Sequence, residues 1–181
     1  LYESKLSAAK RMLPRVGESE RRIATVRMAF IAGDKSAPRQ LDKLSTRERH
    51  DAGILFERLR WRAAHDMDHQ LAELLLAAPK EPPHADLWWP MRAIAVREAM
   101  GQRHYAQALA LLAHHGNLKN EALAEALWLK GWLTLKYKHD AGAAYKQFYA
   151  LYTSVYTPVS KARAAYWAGR AAEENGNHDI A

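Results

Sequence analysis

Residues 125–151, EALWLKGWLTLKYKHDAGAAYKQFYAL, carry the clearest pattern of two helices joined by a short turn. Apolar residues recur every three or four positions on both sides of the turn signal at 137–140, a spacing typical of amphipathic helices. Gly131 lies between Trp128 and Trp132 in the first helix, where glycine costs about 1 kcal/mol relative to alanine. We therefore expect a second helix to approach closely at Gly131.

The same helical periodicity covers nearly the whole chain, and no segment alternates as a strand does. The sequence therefore predicts an all-α protein. The residues that break the helical pattern are Pro14, Gly33 to Pro38, Pro79 to Pro83, Gly116 and Pro158. Between 35 and 45 we expect a loop, followed by an N-cap at Ser45 or Thr46.

Small and apolar residues repeat every 36 positions, which predicts an α-solenoid of antiparallel helical hairpins of the tetratricopeptide type. One column of the repeat contains Ala63, Ala99, Leu135 and Ala171, and a second contains Ala72, Ala108 and Ala144. At this period, residues 1–181 form a single α-superhelical region of about five hairpins. A start at Leu1 and an end inside a periodic segment further suggest a piece of a longer chain.

The spacing of small residues also supports the prediction that a second helix approaches closely at Gly131. Gly131, Ala143 and Ala150 are 12 and 19 positions apart, as in tetratricopeptide repeats whose paired helices touch backbone to backbone. We expect Gly131 and Gly169 to be such contact points. The residues expected to fill the surrounding space are Trp128, Trp132, Tyr166 and Trp167.

Composition excludes several classes of protein. With 181 residues and 49% hydrophobic content, the chain is not intrinsically disordered. It has no cysteine, which excludes disulfides, thiolate zinc sites and thiol catalysis. The longest apolar run, 108–113, is too short to cross a bilayer, so we expect no membrane span. The net charge of +7 favours an anionic partner, which this charge alone does not identify.

Three segments together resemble the helical superhelix of the soluble lytic murein transglycosylases. They are LWWPMRAIAVREAMGQRHYAQALALLAHHG at 87–116, EALWLKGWLTLKY at 125–137 and TPVSKARAAYWAGRAAEENG at 157–176. Upstream, AKRMLP at 9–14 and the segment 54–79 are similar to preceding hairpins in the alphaproteobacterial branch of that family. The resemblance implies a periplasmic ring of helices that accompanies a lysozyme-like domain acting on peptidoglycan glycan strands, located beyond Ala181.

The catalytic glutamate of that family stands in a Glu-Ser pair followed by a glycine-rich element, and it serves as general acid and base. Two Glu-Ser pairs occur here, Glu3-Ser4 and Glu18-Ser19, but ordinary amphipathic helix follows each of them. We therefore interpret both pairs as helix surface and assign no catalytic residue to this chain.

Two histidine-containing clusters invite a metal interpretation. The cluster HDMDH at 65–69 brings together His65, Asp66, Asp68 and His69, yet it falls at a turn, where such residues cap helix ends. His114-His115-Gly116 has the composition of a helix C-terminus with a left-handed glycine. We favour capping for both clusters and predict no metal and no cofactor.

Two aromatic clusters have competing interpretations. Trp88 and Trp89 precede Pro90, which suits the first turn of a helix. These tryptophans could stack on sugars, but packing between hairpins is favoured. Trp61 is flanked by Arg58, Arg60 and Arg62, a mixture found in nucleic-acid sites, but no nucleic-acid reading motif accompanies it. We favour a solvated charged face and expect no nucleic-acid partner.

Two functions follow from these observations. The first is the noncatalytic superhelical part of a lytic transglycosylase, which positions glycan strands, shapes the ring around the catalytic domain or contacts cell-wall synthesis proteins. The second is a tetratricopeptide-like adapter whose concave face binds a peptide or protein. A following Glu-Ser element with its glycine-rich sequence would favour the first, whereas a stop codon after Ala181 would favour the second.

The purified 181-residue chain should not cleave peptidoglycan, because it carries no matched catalytic glutamate. The measurement is release of anhydro-muropeptides from purified sacculi. Release that disappears on changing Glu3 or Glu18 would contradict this prediction.

Overall fold

The computed structural model describes residues 1–2 and 4–179. All regular structure in this part of the chain is helical, which confirms the predicted all-α class. Eleven α-helices are found among the described residues, together with two short 3-10 turns. The helices are α1 Leu6–Met12, α2 Glu18–Ile31, α3 Ala37–Asp42, α4 Thr46–Arg49, α5 Ala52–Ala63, α6 Leu71–Ala77, α7 Ala85–Gly101, α8 Tyr105–Ala113, α9 Asn120–Lys136, α10 Ala141–Ser154 and α11 Pro158–Glu174.

The chain divides into two compact units at the proline-rich segment before α7. The first unit, residues 1–83, contains α1 to α6, and the second, from residue 84 onward, contains α7 to α11. The expectation of one continuous superhelical region over 1–181 stays a prediction.

The first unit is centred on the contact between α2 and α5. Its buried core includes Val26, Phe30, Leu44 and Ile54. Gly53 stands at the start of α5 where a Cβ atom would overlap the guanidinium of Arg27. The absence of that atom lets Arg27 reach Glu57, with 3.2 Å between Nη2 and Oε1. Because Glu57 is only 2% exposed, burial raises its pKa despite the arginine.

A second buried carboxylate joins α2 to α4. Ser45 is the N-cap of α4, as predicted, and forms a reciprocal capping box with Glu48. Glu48 is 5% exposed and also accepts hydrogen bonds from Ser19 Oγ at 2.9 Å and from Arg22 Nη2 at 2.7 Å. The hydrogen bond from the Ser45 backbone, supported by these side chains, lowers the pKa of Glu48 to about 2.

The loop expected between 35 and 45 is wrong in part, because residues 37–42 form the short helix α3. The hydrogen bond from Ser36 N to Asp34 Oδ1, 2.7 Å long, shapes the turn before this helix. Pro38 then occupies the first turn of α3, where its missing N–H costs no helical hydrogen bond. The buried Ala37 fixes the helix to the core. The glycine and proline signals therefore marked a helix start as well as a turn.

The second unit is built from helices that pack on their neighbours in sequence. α7 contacts α8 and α9, α9 contacts α10, and α10 contacts α11. The buried residues of the last three helices that form one cluster are Leu135, Ala144, Phe148, Leu151, Val155, Ala164, Ala168 and Ala171. Consecutive helix packing is thus present within this unit.

Gly131 is a point of close approach between α9 and α10, as its position in the sequence predicted. A Cβ atom at Gly131 would lie 2.7 Å from Cε1 of Phe148, which is fully buried. The predicted backbone contact with Ala143 and Ala150 is wrong, because Ala150 is exposed and Ala143 is only partly buried. At 100° per residue, Ala150 lies about 200° around α10 from Phe148. The glycine therefore accommodates an aromatic ring.

The neighbours expected around Gly131 divide into two groups. Trp128, Trp132 and Trp167 are partly buried and pack against the cluster that contains Phe148, as predicted. Tyr166 is 62% exposed, so its predicted packing role is wrong. Gly169, the second expected contact point, is partly buried on α11.

Arg92 fastens α7 to the end of α8. Its side chain is 1% exposed, and Nη1 donates a hydrogen bond of 2.7 Å to the carbonyl of Leu111. That carbonyl lies in the last turn of α8, where backbone acceptors lack helical partners. Nη2 is buried and has no hydrogen-bond partner among the residues that the structure describes, and burial lowers the pKa of Arg92 to about 10.

Pro90 lies inside α7, so the prediction that it opens the helix is wrong. The helix begins at Ala85, and Pro90 is its sixth residue. Burial of Ala85, Trp88 and Trp89 holds the preceding turn in place, while Pro90 itself is exposed. Core packing on one face therefore offsets the hydrogen bond that proline cannot donate.

Gly131→Leu should lower the free energy of unfolding, because the new side chain enters space that the Phe148 ring fills. Overpacking of this kind costs about 1–3 kcal/mol. Chemical denaturation followed by circular dichroism measures the effect.

Gly101→Leu is the matched control, since Gly101 is also helical but a Cβ atom added there would have no neighbouring atom within 4 Å. This variant should unfold at nearly the wild-type denaturant concentration. Because Gly131 and Phe148 are in contact, Phe148→Ala combined with Gly131→Leu should cost less than the sum of the two single changes. Equal stability of the Gly131 variant and wild type would contradict the close approach.

Glu48→Gln should remove a pH-dependent part of the stability of the first unit. Because folding lowers the pKa of Glu48 from 4.5 to about 2, its contribution is fully present above about pH 4.5 and is lost as pH falls toward 2. The difference in melting temperature between wild type and variant should therefore shrink over this interval. Glu18→Gln, which changes an exposed carboxylate bonded to the same Arg22, should lower the melting temperature much less.

Candidate functional site

A stripe of tyrosines, most of them exposed, runs along α10 and past its end. Tyr145, Tyr149 and Tyr152 are four and three residues apart and lie on one face of α10, where Tyr145 is partly buried against the core. Tyr156 follows two residues after α10 ends, and these four residues form the tyrosine stripe. The core-facing residues of α10 form a separate stripe through Ala144, Phe148 and Leu151. The helix therefore has a buried apolar face and an exposed aromatic face.

The first three rings of the tyrosine stripe are stacked in sequence. The centroids of Tyr145 and Tyr149 are 6.0 Å apart, and those of Tyr149 and Tyr152 are 6.5 Å apart. The exposed fraction is 54% for Tyr149, 39% for Tyr152 and 88% for Tyr156. Lys161 of α11 places its Nζ 5.7 Å from the ring centre of Tyr152. This surface offers the parts of the ring faces that the mutual stacking leaves open, together with hydroxyl edges and one cation over Tyr152.

A groove of about 460 Å³ lies in the same unit and is lined mainly by α9. α7, α10 and α11 supply the remaining side chains. The lining residues of this α9 groove are Arg97, Glu121, Ala124, Glu125, Trp128, Leu129, Leu151, Ser160 and Arg163. Its volume falls within the range of about 300–1,000 Å³ that is usual for small-ligand sites.

Two of the charged residues of the groove neutralise each other. Glu125 accepts a hydrogen bond of 2.7 Å from Trp89 Nε1, and its other oxygen accepts one from Arg97. Trp89 is 5% exposed, so its indole N–H would be unsatisfied without Glu125. This carboxylate therefore ties α9 to α7 and is already occupied.

Three residues that line the groove have a hydrogen-bond donor without an acceptor among the described residues. Trp128 Nε1 is buried and has no hydrogen-bond partner among the described residues. Arg163 is exposed and forms no ion pair or hydrogen bond with any residue that the structure describes. Ser160 Oγ accepts a bond of 2.8 Å from Thr157 Oγ1, which leaves its own hydrogen free. A buried unpaired N–H costs about 1–3 kcal/mol, so an acceptor at Trp128 would remove a penalty.

Trp88 and Trp89, the predicted candidates for sugar stacking, do not form a platform. They are 1% and 5% exposed, which confirms the alternative that they pack in the interior. Exposed aromatic surface is found instead on α10. The spacing of four, three and four residues between these tyrosines is visible in the sequence. The sequence alone did not distinguish the tyrosines from the core residues on the adjacent face of α10.

The HDMDH cluster at 65–69 lies at the turn that ends α5, as predicted. Asp66 has a left-handed backbone with φ of 56°, and a 3-10 turn over Asp68–Gln70 follows. The ring of His65 stacks on Trp61 at 4.3 Å, with its Nδ1 2.7 Å from the Trp61 carbonyl oxygen. Within residues 1–2 and 4–179, no group of three histidine or acidic side chains is placed to hold a metal ion.

His114 and His115 follow Ala113, the last residue of α8, so the interpretation that they lie in the last helical turn is wrong. Gly116 has the predicted left-handed backbone, with φ of 72°, but it lies three residues beyond α8 instead of directly at the cap. His115 is partly buried with its Nδ1 2.7 Å from the Gly116 carbonyl oxygen, and burial lowers its pKa.

The arginines beside Trp61 do not form one solvated face. Arg60 is exposed, but Arg58 is partly buried, and burial lowers its pKa. Arg62 is 15% exposed, and its Nη1 donates to the Gln70 carbonyl oxygen at 2.5 Å. The prediction of a solvated charged face therefore holds for Arg60 alone. Arg58 is partly buried, and Arg62 stabilises the turn after α5.

Only the second of the two Glu-Ser pairs is described in full. Glu3 lies outside the described residues. Ser4 has a left-handed backbone with φ of 55° and precedes α1, so the helix-surface interpretation is wrong for Ser4. Glu18 is 85% exposed in the first turn of α2 and pairs with Arg22 at 2.6 Å, which agrees with the predicted helix surface. Ser19, in contrast, donates to the buried Glu48 and therefore has a structural role.

Comparison with models of known protein families, with curated proteins and with solved structures found no match. Among the described helices, none is long and apolar enough to cross a membrane.

Proposed function

We propose that this chain is the noncatalytic α-superhelical part of a periplasmic lytic transglycosylase, in which tetratricopeptide-like hairpins hold peptidoglycan glycan strands for a lysozyme-like domain. The resemblance of three sequence segments to that family motivates the proposal. The observation that carries it is the tyrosine stripe on α10, with Lys161 beside it.

The stripe suits a glycan because its binding groups are repeated along a line. Aromatic rings stack on the apolar faces of pyranoses, and two successive ring separations of 6.0 and 6.5 Å offer repeated contacts to an extended strand. Lys161 and the net charge of +7 attract the carboxylates of peptidoglycan stems. Binding through these groups is weak and tolerant of position, which is appropriate for a surface that feeds a separate catalytic domain.

The adapter function is the second candidate, and the α9 groove favours it. A groove with unpaired hydrogen-bond donors is suited to a short, specific ligand and not to a long polymer. The two functions use different surfaces of the second unit and can be tested separately.

Sedimentation with purified sacculi tests the glycan proposal. Wild-type chain should bind at low salt, and Tyr149→Ala with Tyr152→Ala should weaken binding. An aromatic contact contributes about 0.5–1.5 kcal/mol, so each ring should account for roughly a two- to tenfold change in affinity. Lys161→Gln should reduce the salt-sensitive part, because exposed charges are screened over about 8 Å at physiological ionic strength.

Tyr166→Ala is the matched control, since Tyr166 is 62% exposed but lies on α11 outside the stripe. Circular dichroism should show that all variants keep their helix content. Absence of binding at low salt, or equal binding by the control and the double variant, would contradict the glycan proposal.

A further inference from the structure

We infer that the α9 groove binds the terminal carboxylate of a short peptide. The site uses residues that the tyrosine stripe does not include, so it does not depend on glycan binding by that stripe. The three available donors of the groove, from Trp128, Ser160 and Arg163, come from two different helices and line one cavity.

Arg163 supplies the charge that selects a carboxylate. Its guanidinium is exposed, has no acidic partner among the described residues and can donate two parallel hydrogen bonds to the two oxygens of a carboxylate. The Ser160 hydroxyl lies one helical turn before it on α11 and has a hydrogen to donate. These two residues form the polar part of the site.

Trp128 adds a donor that is unsatisfied without a ligand. Trp128 is one of the residues that line the groove, and its buried Nε1 has no hydrogen-bond partner among residues 1–2 and 4–179. The ring itself is held by packing against the α9–α11 core and by an edge contact with Trp167 at 6.3 Å. The ring is therefore held in place before binding, and an acceptor reaches the buried N–H only after a local movement of the groove wall.

The remaining lining favours a peptide over other anions. Ala124, Leu129 and Leu151 offer apolar contact for a side chain next to the carboxylate. Glu121 forms no bond with any described residue and can accept from a peptide N–H. The negative charge of Glu121 disfavours a doubly charged phosphate more than a singly charged carboxylate, and the amide N–H next to a peptide carboxylate can donate to Glu121.

Nuclear magnetic resonance of the ¹⁵N-labelled 181-residue chain tests the inference. The probe is acetyl-Ala-Ala-Leu with a free carboxylate, and the control ligand is the same peptide as its C-terminal amide. The chain has six tryptophans, and Trp128→Phe assigns the Trp128 indole signal while retaining an aromatic ring. The acid should move this proton signal downfield in a saturable way, because the N–H gains an acceptor, and the amide should not.

Substitutions identify the side chain that binds the charged carboxylate of the ligand. Arg163→Gln should weaken binding of the acid at least about tenfold, since a hydrogen bond to a charged group is worth more than a neutral one. Arg170→Gln is the matched control, because Arg170 is on the same helix but pairs with Glu173 outside the groove. Glu121→Gln should bind the acid equally or more tightly.

Two results would overturn the inference: no saturable shift of the Trp128 signal, or equal responses to acid and amide. Unchanged affinity in Arg163→Gln, or loss of binding in Glu121→Gln, would also contradict it. Soluble muropeptides form a second arm of the titration. Tighter binding of these than of the synthetic acid would identify the stem peptide as the source of the carboxylate, and weaker binding would identify a protein C-terminus.

Discussion

The contact between Gly131 and the ring of Phe148 sets the separation of α9 and α10, and the rest of the second unit depends on that separation. The cluster around Phe148 also packs the partly buried Trp128, which stands one turn before Gly131. The same turn of α9 therefore faces the core through its glycine and the groove through its tryptophan. If α9 and α10 were farther apart, the core would no longer hold the Trp128 indole in position at the groove.

The sequence predicted the features that follow from local pattern, and it missed those that combine distant residues. Periodicity identified the helical class, and a helix-breaking residue between two tryptophans identified Gly131 as a contact. The partner of Gly131 was not predictable, because spacing alone did not distinguish the exposed Ala150 from the buried Phe148. The donors of the groove were missed for the same reason, since Trp128 and Arg163 are brought together only by packing.

Buried carboxylates in the first unit show how environment decides the chemistry of one residue type. Glu48 accepts several hydrogen bonds and keeps its charge, so its pKa falls to about 2. Glu57 is similarly buried, but desolvation outweighs Arg27, so its pKa rises. Both residues join α2 to another helix across a small core. These buried polar contacts thus fix the positions of the helices relative to α2 more specifically than apolar packing alone.

Arg92 gives the second unit a particular response to temperature. A charge removed from water pays a hydration penalty, and this penalty becomes smaller on warming because the hydration of ions has a strongly negative entropy. Arg92 is 1% exposed, and in the part of the chain that the structure describes its Nη2 has no hydrogen-bond partner, so the hydration penalty is only partly offset. Apolar burial also weakens on cooling. Both effects act in the same direction, which makes the second unit more sensitive to cold than a unit of equal size with a wholly apolar interior.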